Sequence, residues 1–419
     1  MHVIVIGAGV IGTTTAWYLN RLGHDVTLLD RAGRPGEETS FANGGLLHAS
    51  HAEPWNAPGV LWQLLRWLGR EDSPLLLRPA QIPRLTRWGL GFLRYSRRRH
   101  FDRNIRLNAA LAVYSLRMLR ELRRDTGLRY DDRQSGILKI FRDQAAMDKA
   151  RHASTVMDEA GVRYSVIDGR HTVALEPALA DVAHELVGAI YYPDDESGDA
   201  CLFTQRLAEL ACGSGVRFLP ETGVRRLKIN DDRILGLETD RGHMSADAYV
   251  LAAGSYSPRL ARQVGLRLPI YPVKGYSATL PADGWNNQPA IPVIDDANKV
   301  VMAILGNRVR MAGTAEFAGY DLSLSEKRAH GVVRQVIKTF PSLRQHAEHH
   351  RPDYWCGLRP MTMDGPPILG PTAVENLYLN CGAGHLGWTF ACGAARLVAD
   401  AVSGREPELD IAGYALDRY

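Results

Sequence analysis

The N-terminal segment shows three apolar patterns in the order strand, helix, strand. Residues 3–6 are all apolar, as in a parallel strand that is covered on both faces. Residues 10–22 carry apolar side chains at helical spacing, and Gly23 follows as a residue that commonly ends a helix. Residues 25–30 return to a strand pattern. The sequence therefore predicts a βαβ unit at its start.

The remaining pattern mixes helical and strand periods without an internal repeat or a low-complexity segment. The runs at 273–280 and 309–312 are typical of an antiparallel sheet. Further strands are predicted at 137–141, 189–192, 248–253 and 377–380, and helices at 203–211, 322–340 and 390–402. This order predicts an α/β fold with a second part of α+β type.

Length and composition narrow the class of protein. A chain of 419 residues exceeds the size at which one core usually stops growing, so two domains are expected. Hydrophobic residues make up 45% and charged residues 23%, as in a typical soluble protein. A net charge of +4 gives no support for a nucleic-acid partner, because such binders concentrate basic charge.

The cysteines indicate a reducing compartment. They form no CxxC pair and offer no spacing for a metal or an iron–sulfur cluster. No apolar run reaches the roughly 18 residues that span a bilayer. We therefore expect a cytoplasmic protein without a metal site, and peripheral contact with the inner face of the cell membrane stays open.

Residues 55–101 are rich in tryptophan, leucine and arginine. Trp55, Trp62, Trp67 and Trp88 interleave with these residues, and three consecutive arginines come near the end of the segment. One interpretation is a pair of amphipathic helices with a solvated basic face. The other is a surface that docks on a membrane or on a partner subunit.

The glycine turn after the first strand predicts a dinucleotide site. Gly7 permits a tight turn, Gly9 lets the backbone approach a pyrophosphate, and Gly12 lets the helix pack close to the strand. The helix N-terminus then offers free N–H groups to the phosphates. Asp30 ends the next strand at the distance where a carboxylate binds ribose hydroxyls, which argues against NADP.

A second turn of the same form, at 382–387, lies near the C-terminus. No strand with an acidic residue follows it, so a second dinucleotide site is not expected. The helix after Gly387 would direct its N-terminus at a flavin ring, whose reduced form is negatively charged. The alternative is an ordinary turn at the start of a helix.

Several longer motifs occur together in one order along the chain. Besides both glycine turns, they are 38–45 (ETSFANGG), 57–60 (APGV), 195–199 (DESGD), 272–277 (PVKGYS) and 357–365 (GLRPMTMDG). On these motifs the sequence resembles the FAD-dependent amino-acid oxidoreductases of the D-amino-acid oxidase and glycine oxidase superfamily. Within it, the sequence is most similar to the small subunit of bacterial D-amino acid dehydrogenases.

The resemblance implies a Rossmann-like FAD-binding domain and a discontinuous substrate domain on an antiparallel sheet. We assign 1–65, 198–265 and 345–419 to the FAD-binding domain, and 66–197 and 266–344 to the substrate domain. The resemblance also implies oxidation of an α-amino acid to an imino acid, which water converts into a 2-oxo acid and ammonia. The expected substrates are D-amino acids such as D-alanine or cyclic compounds of the D-proline type.

In this family an arginine in the GLRP motif binds the substrate carboxylate, and Arg359 occupies that position. A guanidinium suits this task because it binds a carboxylate through two hydrogen bonds. Tyr276 is a second candidate, either through its hydroxyl or as part of the wall, and its alternative is a core tyrosine of the sheet. Tyr271 and His51 are weaker candidates on the substrate side.

FAD is expected to be bound non-covalently, since no cysteine or histidine is placed for a covalent bond. The expected cofactor contacts are Gly7, Gly9, Val10, Ile11, Gly12, Asp30, Arg31, Ser40, Asn43, Gly44, Gly45, Leu46, Val224, Ala253, Gly254, Arg359, Gly384, His385, Leu386, Gly387, Trp388 and Thr389.

The expected chemistry is hydride transfer from the substrate Cα to flavin N5, which requires no protein base. The electrons then pass to a quinone or to a partner subunit. Three alternatives stay open. They are an oxygen-using oxidase of the glycine or sarcosine type, a non-catalytic flavin subunit of a complex, and an NAD-dependent dehydrogenase that would leave the second turn without a role.

Overall fold

The computed structural model describes residues 1–62 and 73–419. The predicted βαβ unit is confirmed, with strand His2–Ile6, helix Val10–Arg21 and strand Asp25–Leu29. The two strands are parallel and pair His2 with Asp25. Both faces of the first strand are buried, as its continuous apolar run predicted.

The βαβ unit belongs to a six-stranded sheet, and we call this part the parallel-sheet domain. Its neighbouring strands run parallel except for one antiparallel edge strand. In spatial order the strands are Ile368–Pro371, Leu377–Cys381, Ala248–Leu251, His2–Ile6, Asp25–Leu29 and Arg217–Leu219.

Different elements cover the two faces of this sheet. Val3 and Val5 pack into a core with the α-helices, whereas Ile4 and Ile6 pack into a second core on the other face. The helices that pack on one another over the first face are Val10–Arg21, Arg98–Thr126, Ala200–Gly213 and Gly387–Val402. The second core includes a small antiparallel sheet of Val224–Asn230, Arg233–Thr239 and Gly242–Met244.

A nine-stranded sheet forms the second part, which we call the antiparallel-sheet domain. Two of its strand pairs are parallel and the others are antiparallel. Eight strands lie in the order Asp353–Thr362, Ile270–Pro281, Arg308–Phe317, Val300–Leu305, Val293–Asp295, Ile137–Phe141, Gly188–Tyr192 and Ser165–Asp168, and Leu75–Leu77 pairs with Arg308–Phe317.

Helix Glu326–Thr339 covers one face of this second sheet and leaves the other face to the cavity described below. A short ladder of Leu46–Leu47 and Glu196–Ser197 connects distant parts of the chain. Further α-helices of the described residues are Ile82–Tyr95, Gln144–Asp158, Gly169–Leu175, Ser257–Ala261 and Leu343–His349. None of the helices within the two described ranges combines the length and the apolar character needed to span a bilayer.

Two elements lie outside the part to which the predicted boundaries assign them. Strand Asp353–Thr362 pairs with Ile270–Pro281 in the antiparallel sheet, although it follows the boundary at 345. Helix Arg98–Thr126 packs on helix Gly387–Val402 of the parallel-sheet domain. Both differences arise because the chain crosses between the two sheets more often than turn signals reveal. The boundaries themselves stay a prediction.

Candidate active site

The first glycine turn has the close backbone contacts that its sequence predicted. A Cβ on Gly12 would lie 1.8 Å from the Gly7 carbonyl oxygen, and one on Gly7 would lie 2.7 Å from the Ala252 carbonyl oxygen. Gly7 also has a φ of +108°, a conformation that other residues rarely adopt. Only glycine therefore allows the turn, the helix and the neighbouring strand to meet this closely.

Asp30 closes the turn from the side of the second strand. Its carboxylate accepts hydrogen bonds from the Ala8 amide at 2.6 Å and from the Ala32 amide at 2.8 Å. Burial is the largest influence on Asp30 and raises its pKa, while both amides oppose this shift. Arg31 forms an ion pair with Glu38 and stacks 3.8 Å above the ring centroid of Tyr256.

Both glycine turns line one cavity of about 1400 Å³. Gly384, His385, Gly387 and Trp388 contribute the wall from the C-terminal turn, at the start of the last helix. The other predicted cofactor residues in the wall are Gly7, Gly9, Val10, Ile11, Asp30, Arg31, Ser40, Asn43, Gly44, Gly45, Leu46, Val224, Ala253, Gly254 and Arg359.

Three predicted cofactor residues do not line the cavity. Gly12 packs against the backbone of the first turn, and Leu386 is buried in the core of the parallel-sheet domain. The Thr389 hydroxyl accepts a hydrogen bond from the His48 amide at 3.1 Å. These residues support the wall from behind, which their sequence positions alone did not distinguish from direct contact.

The 40–46 loop is held between the two domains. Ser40 Oγ accepts a hydrogen bond from the Val10 amide at 3.0 Å and so satisfies one of the free N–H groups at the start of the first helix. The Asn43 carbonyl accepts one from the Arg310 guanidinium at 2.9 Å. A Cβ on Gly44 would lie 2.9 Å from a Val301 methyl group, so the loop can lie this close to the antiparallel sheet only with glycine at position 44.

Arg359 projects from strand Asp353–Thr362 toward the cavity. It pairs with Val273, which lies on the strand face opposite to the helix-covered core. Its guanidinium donates to the Thr314 carbonyl at 3.0 Å and lies 5.6 Å from the ring centroid of Trp55. Burial lowers the pKa of Arg359 to about 10, so it remains protonated at neutral pH.

No acidic side chain in the described ranges lies close enough to raise that pKa again. An enclosed cation without a counter-charge is costly, and an anionic ligand would offset the cost. The geometry at Arg359 is therefore that of a carboxylate-binding position at the cavity wall.

A cluster of aromatic side chains lies beside Arg359. His51 stands between His48 and His385, at centroid distances of 5.2 and 5.4 Å, and Trp55 stacks on His385 at 5.4 Å. Burial lowers the pKa of His48 to about 3 and that of His385 to about 4, and it also lowers the pKa of His51. These imidazoles are therefore neutral at pH 7.

The Tyr276 and Tyr271 hydroxyls form their hydrogen bonds with residues other than Arg359, whereas Tyr276 is part of the cavity wall. The Tyr276 hydroxyl donates to the Glu316 carboxylate at 2.6 Å, and its side chain packs in the helix-covered core of the antiparallel sheet. Tyr271 packs with Trp88 and Phe317 and does not line the cavity. Strand alternation explains the placement of Tyr276, because position 276 faces away from positions 273 and 275, whereas Tyr271 packs on the same face as Val273 and outside the cavity wall. The contacts favour the structural interpretation for both tyrosines.

Sequence reasoning missed an ionic cluster in the cavity wall. Lys139 is buried, with its Nζ 3.5 Å from Glu53 Oε2 and 3.8 Å from Asp296 Oδ1. Burial opposes the charge of Lys139, yet both carboxylates raise its pKa above the usual value. A lysine in the middle of the apolar run at 137–141 was the available signal.

The 55–101 segment contributes an apolar side of the cavity through helix Ile82–Tyr95. Trp88 is buried, and its indole N–H donates to the Met361 carbonyl at 3.0 Å. Trp62 and Leu90 are 76% and 65% exposed. Trp67 lies outside the described residues.

Comparisons with known proteins agree with this geometry. A family model described as "DAO: FAD dependent oxidoreductase" matches residues 2–401. The D-amino acid dehydrogenase of Paramagnetospirillum magneticum is 47% identical over 420 residues, covering 100% of this chain and 99% of that protein.

Two solved structures share the fold. The L-proline dehydrogenase of P. horikoshii has a TM-score of 0.79 at 18% identity, with 100% of this chain and 97% of that chain covered. The glycine oxidase of Geobacillus kaustophilus has a TM-score of 0.76 at 24% identity, with 100% and 98% covered.

Proposed function

We propose that this chain, which belongs to the DAO family of FAD-dependent oxidoreductases, oxidises D-amino acids as a dehydrogenase. The product would be an imino acid, which water converts into a 2-oxo acid and ammonia. D-Alanine and cyclic substrates of the D-proline type are the first candidates, since both present the carboxylate that this site can bind.

The cavity suits FAD as the cofactor. Gly7 and Gly9 leave room for a pyrophosphate at the N-terminus of the first helix, and Asp30, which lines the same cavity, would bind the ribose hydroxyls. The 40–46 loop and the turn before the last helix would enclose the ring, and we propose that it is held without a covalent bond. When bound, FAD supplies the acceptor for the hydride that leaves the substrate Cα.

The observation that carries the proposal is the Arg359 guanidinium at the wall of this cavity, beside which the described residues place no carboxylate. We assign the substrate carboxylate to it, through two charge-assisted hydrogen bonds. This contact fixes one end of the substrate and orients the Cα–H bond. Orientation of this kind can lower a reaction barrier by roughly 7–11 kcal/mol.

The neighbouring groups favour a neutral substrate amine. His48 and His385 carry no charge at pH 7, and Arg359 disfavours a second cation beside it. A neutral amine retains the lone pair that stabilises the developing iminium ion. Loss of a hydride from the Cα of a neutral amine gives the iminium ion without release of a proton, so no protein base is required for the hydride step.

Replacing Arg359 with alanine tests the carboxylate assignment. We expect the Michaelis constant to rise about 10- to 100-fold, since a charge-assisted contact would be lost, while FAD stays bound. Steady-state kinetics and the flavin absorption spectrum measure both quantities. Arg170→Ala is the matched control, because Arg170 is exposed and does not line the cavity. An unchanged Michaelis constant in Arg359→Ala would remove Arg359 from the site.

We further propose that the electrons pass to a quinone at a membrane surface. Trp62, Leu90 and the apolar side of helix Ile82–Tyr95 support this acceptor, because they place exposed apolar groups beside the cavity. An oxygen-using oxidase predicts fast peroxide formation instead, and a non-catalytic flavin subunit predicts no reduction by any amino acid.

A further inference from the structure

Gly275 lies directly beneath the guanidinium of Arg359. Strands Ile270–Pro281 and Asp353–Thr362 pair Val273 with Arg359 and Gly275 with Gly357. A Cβ on Gly275 would lie 2.2 Å from Arg359 Nη1 and 2.3 Å from its Cζ. The guanidinium can therefore occupy its present position only above a residue without a side chain.

A bulge in the next strand meets the same guanidinium. Lys274 pairs with Glu316, but Tyr276 pairs with Gly313, so one extra residue of strand Arg308–Phe317 faces Gly275. The carbonyl of Thr314, within this bulge, accepts the 3.0 Å hydrogen bond from Arg359. The bulge thus directs an acceptor at the one side of the guanidinium that lies against the sheet.

Thr314 is strained in this position. Its φ is +58°, which is rare for a β-branched residue and is usually maintained only where the surroundings require it. Its hydroxyl is buried without a hydrogen-bond partner in the described structure, and Thr314 lines the cavity. Backbone strain and an unsatisfied hydroxyl at a cavity wall both mark a functional position.

We infer that Gly275 and the Thr314 bulge are positioning elements that hold the Arg359 guanidinium flat against the sheet. The missing side chain of Gly275 provides the space, and the Thr314 carbonyl fixes the direction. The remaining N–H groups of the guanidinium then point into the cavity. The inference rests on the proposed function, in which Arg359 binds the substrate carboxylate.

The Gly275→Ala variant tests this inference in the holoenzyme. The clashing atoms belong to the far end of a flexible side chain, so the fold is expected to survive while the guanidinium shifts. We expect the Michaelis constant for D-amino acids to rise about tenfold, with kcat changed less than about threefold and the FAD content unchanged. A merely structural defect would instead lower kcat and FAD content together.

Gly331→Ala is the matched control. It lies in helix Glu326–Thr339 of the same domain, and an added Cβ would come no closer than 3.9 Å to Arg334. Its Michaelis constant should equal that of the wild type. If Gly275→Ala loses FAD on purification, Thr314→Gly replaces it as the test. Glycine adopts the positive φ without strain, but its more flexible backbone no longer holds the carbonyl at position 314 in one direction. Thr314→Gly should then raise the Michaelis constant with kcat retained.

A double-mutant cycle shows whether Gly275 acts through Arg359. In the Arg359→Ala background, Gly275→Ala should cause no further rise in the Michaelis constant. An equal rise in both backgrounds, or no rise in the wild-type background, overturns the inference and leaves the proposed function standing. Unchanged affinity in Arg359→Ala alone overturns the carboxylate assignment itself, so the two failures are distinguishable.

Discussion

Burial controls the charge of the residues around the proposed substrate position. His48, His51 and His385 are kept neutral by their surroundings, whereas Arg359 remains protonated. The substrate carboxylate would therefore meet a fixed positive group, and the amine would meet neutral imidazoles. The protonation states of these side chains depend on how deeply each is buried. The sequence does not reveal this burial, because the same residue types elsewhere in the chain are exposed.

Asp195 predicts a pH dependence of stability. Its Oδ1 accepts a hydrogen bond from the Ala49 amide at 2.9 Å, next to the His48 wall. Burial is the main cause that raises its pKa to about 7. Between about pH 4 and about pH 7 the Asp195 carboxyl is therefore protonated in the native state but ionised in the unfolded state. The contribution of this carboxyl to stability should be complete below about pH 4 and should be lost as the pH rises through about 7.

Asp195→Asn should remove this dependence, because asparagine stays neutral and retains an acceptor oxygen. We expect the difference in unfolding free energy between pH 5 and pH 8 to shrink by about 1–4 kcal/mol. Thermal melting at both pH values measures the change. Asp194→Asn is the control, since Arg163 lowers the pKa of that neighbouring carboxylate. Equal pH profiles for the wild type and Asp195→Asn would contradict the prediction.

At the scale of elements, the two glycine turns place two helix N-termini at one cavity. The first turn depends on Gly12, whose added Cβ would meet the backbone carbonyl oxygen of Gly7. Backbone atoms cannot move aside as a flexible side chain can. The helix and the strand would have to separate, and the proposed pyrophosphate position would be lost with them.

Gly12→Ala should therefore abolish FAD binding, with a loss of about 100-fold or more in affinity. The ratio of flavin to protein absorbance after purification measures this loss. Gly213→Ala is the matched control, because no atom lies within 4 Å of an added Cβ there. A Gly12→Ala protein that retains stoichiometric FAD would show that the close approach is dispensable.

The elements that the sequence predicted well are those in which apolar residues recur with one regular spacing. The βαβ unit and the antiparallel strands around 273–280 have regular patterns, and the structure places them as expected. Helix Arg98–Thr126 was not predicted as an element, although its buried residues Ile105, Ala109, Ala112 and Leu116 follow helical spacing. Its many arginines hid that pattern.

The cavity wall was predicted only in part. Glycine turns and Arg359 belong to motifs, so their positions followed from the sequence. Thr314 depends on a bulge, and Lys139 depends on carboxylates from distant segments. Tyr276 shows a mixed outcome, because this motif residue lines the cavity but also packs in the helix-covered core. Register and side-chain direction are tertiary properties that motif reading does not supply.

At the scale of the whole molecule, the two sheets enclose the cavity that both glycine turns line, and exposed apolar side chains lie along one side of it. Leu90 lies on helix Ile82–Tyr95 and Trp62 follows the cavity-lining Leu61, and both are exposed; Arg84, Arg87 and Arg94 add positive charge along that helix. Apolar groups beside arginines suit the interface of an anionic membrane. A quinone could then approach from the lipid.

The double variant Trp62→Ala/Leu90→Ala should lower binding to anionic phospholipid vesicles by about tenfold. Activity with a quinone in those vesicles should fall, while activity with a soluble dye acceptor should stay constant, because neither residue belongs to the glycine turns or to the aromatic cluster beside Arg359. Sedimentation with the vesicles measures binding, and the quinone and dye assays measure the two activities. Leu235→Ala is the control, since Leu235 is 57% exposed on the other domain. Equal losses with both acceptors would contradict the proposed route.

The central claim is that this FAD protein oxidises D-amino acids, and anaerobic reduction of the bound flavin tests it most directly. Purified holoenzyme is mixed without oxygen with D-alanine, D-proline and their L-enantiomers, and the yellow flavin absorbance is followed. We predict rapid bleaching by at least one D-amino acid and none by the L-forms. Flavin that stays oxidised with every D-amino acid would contradict the account.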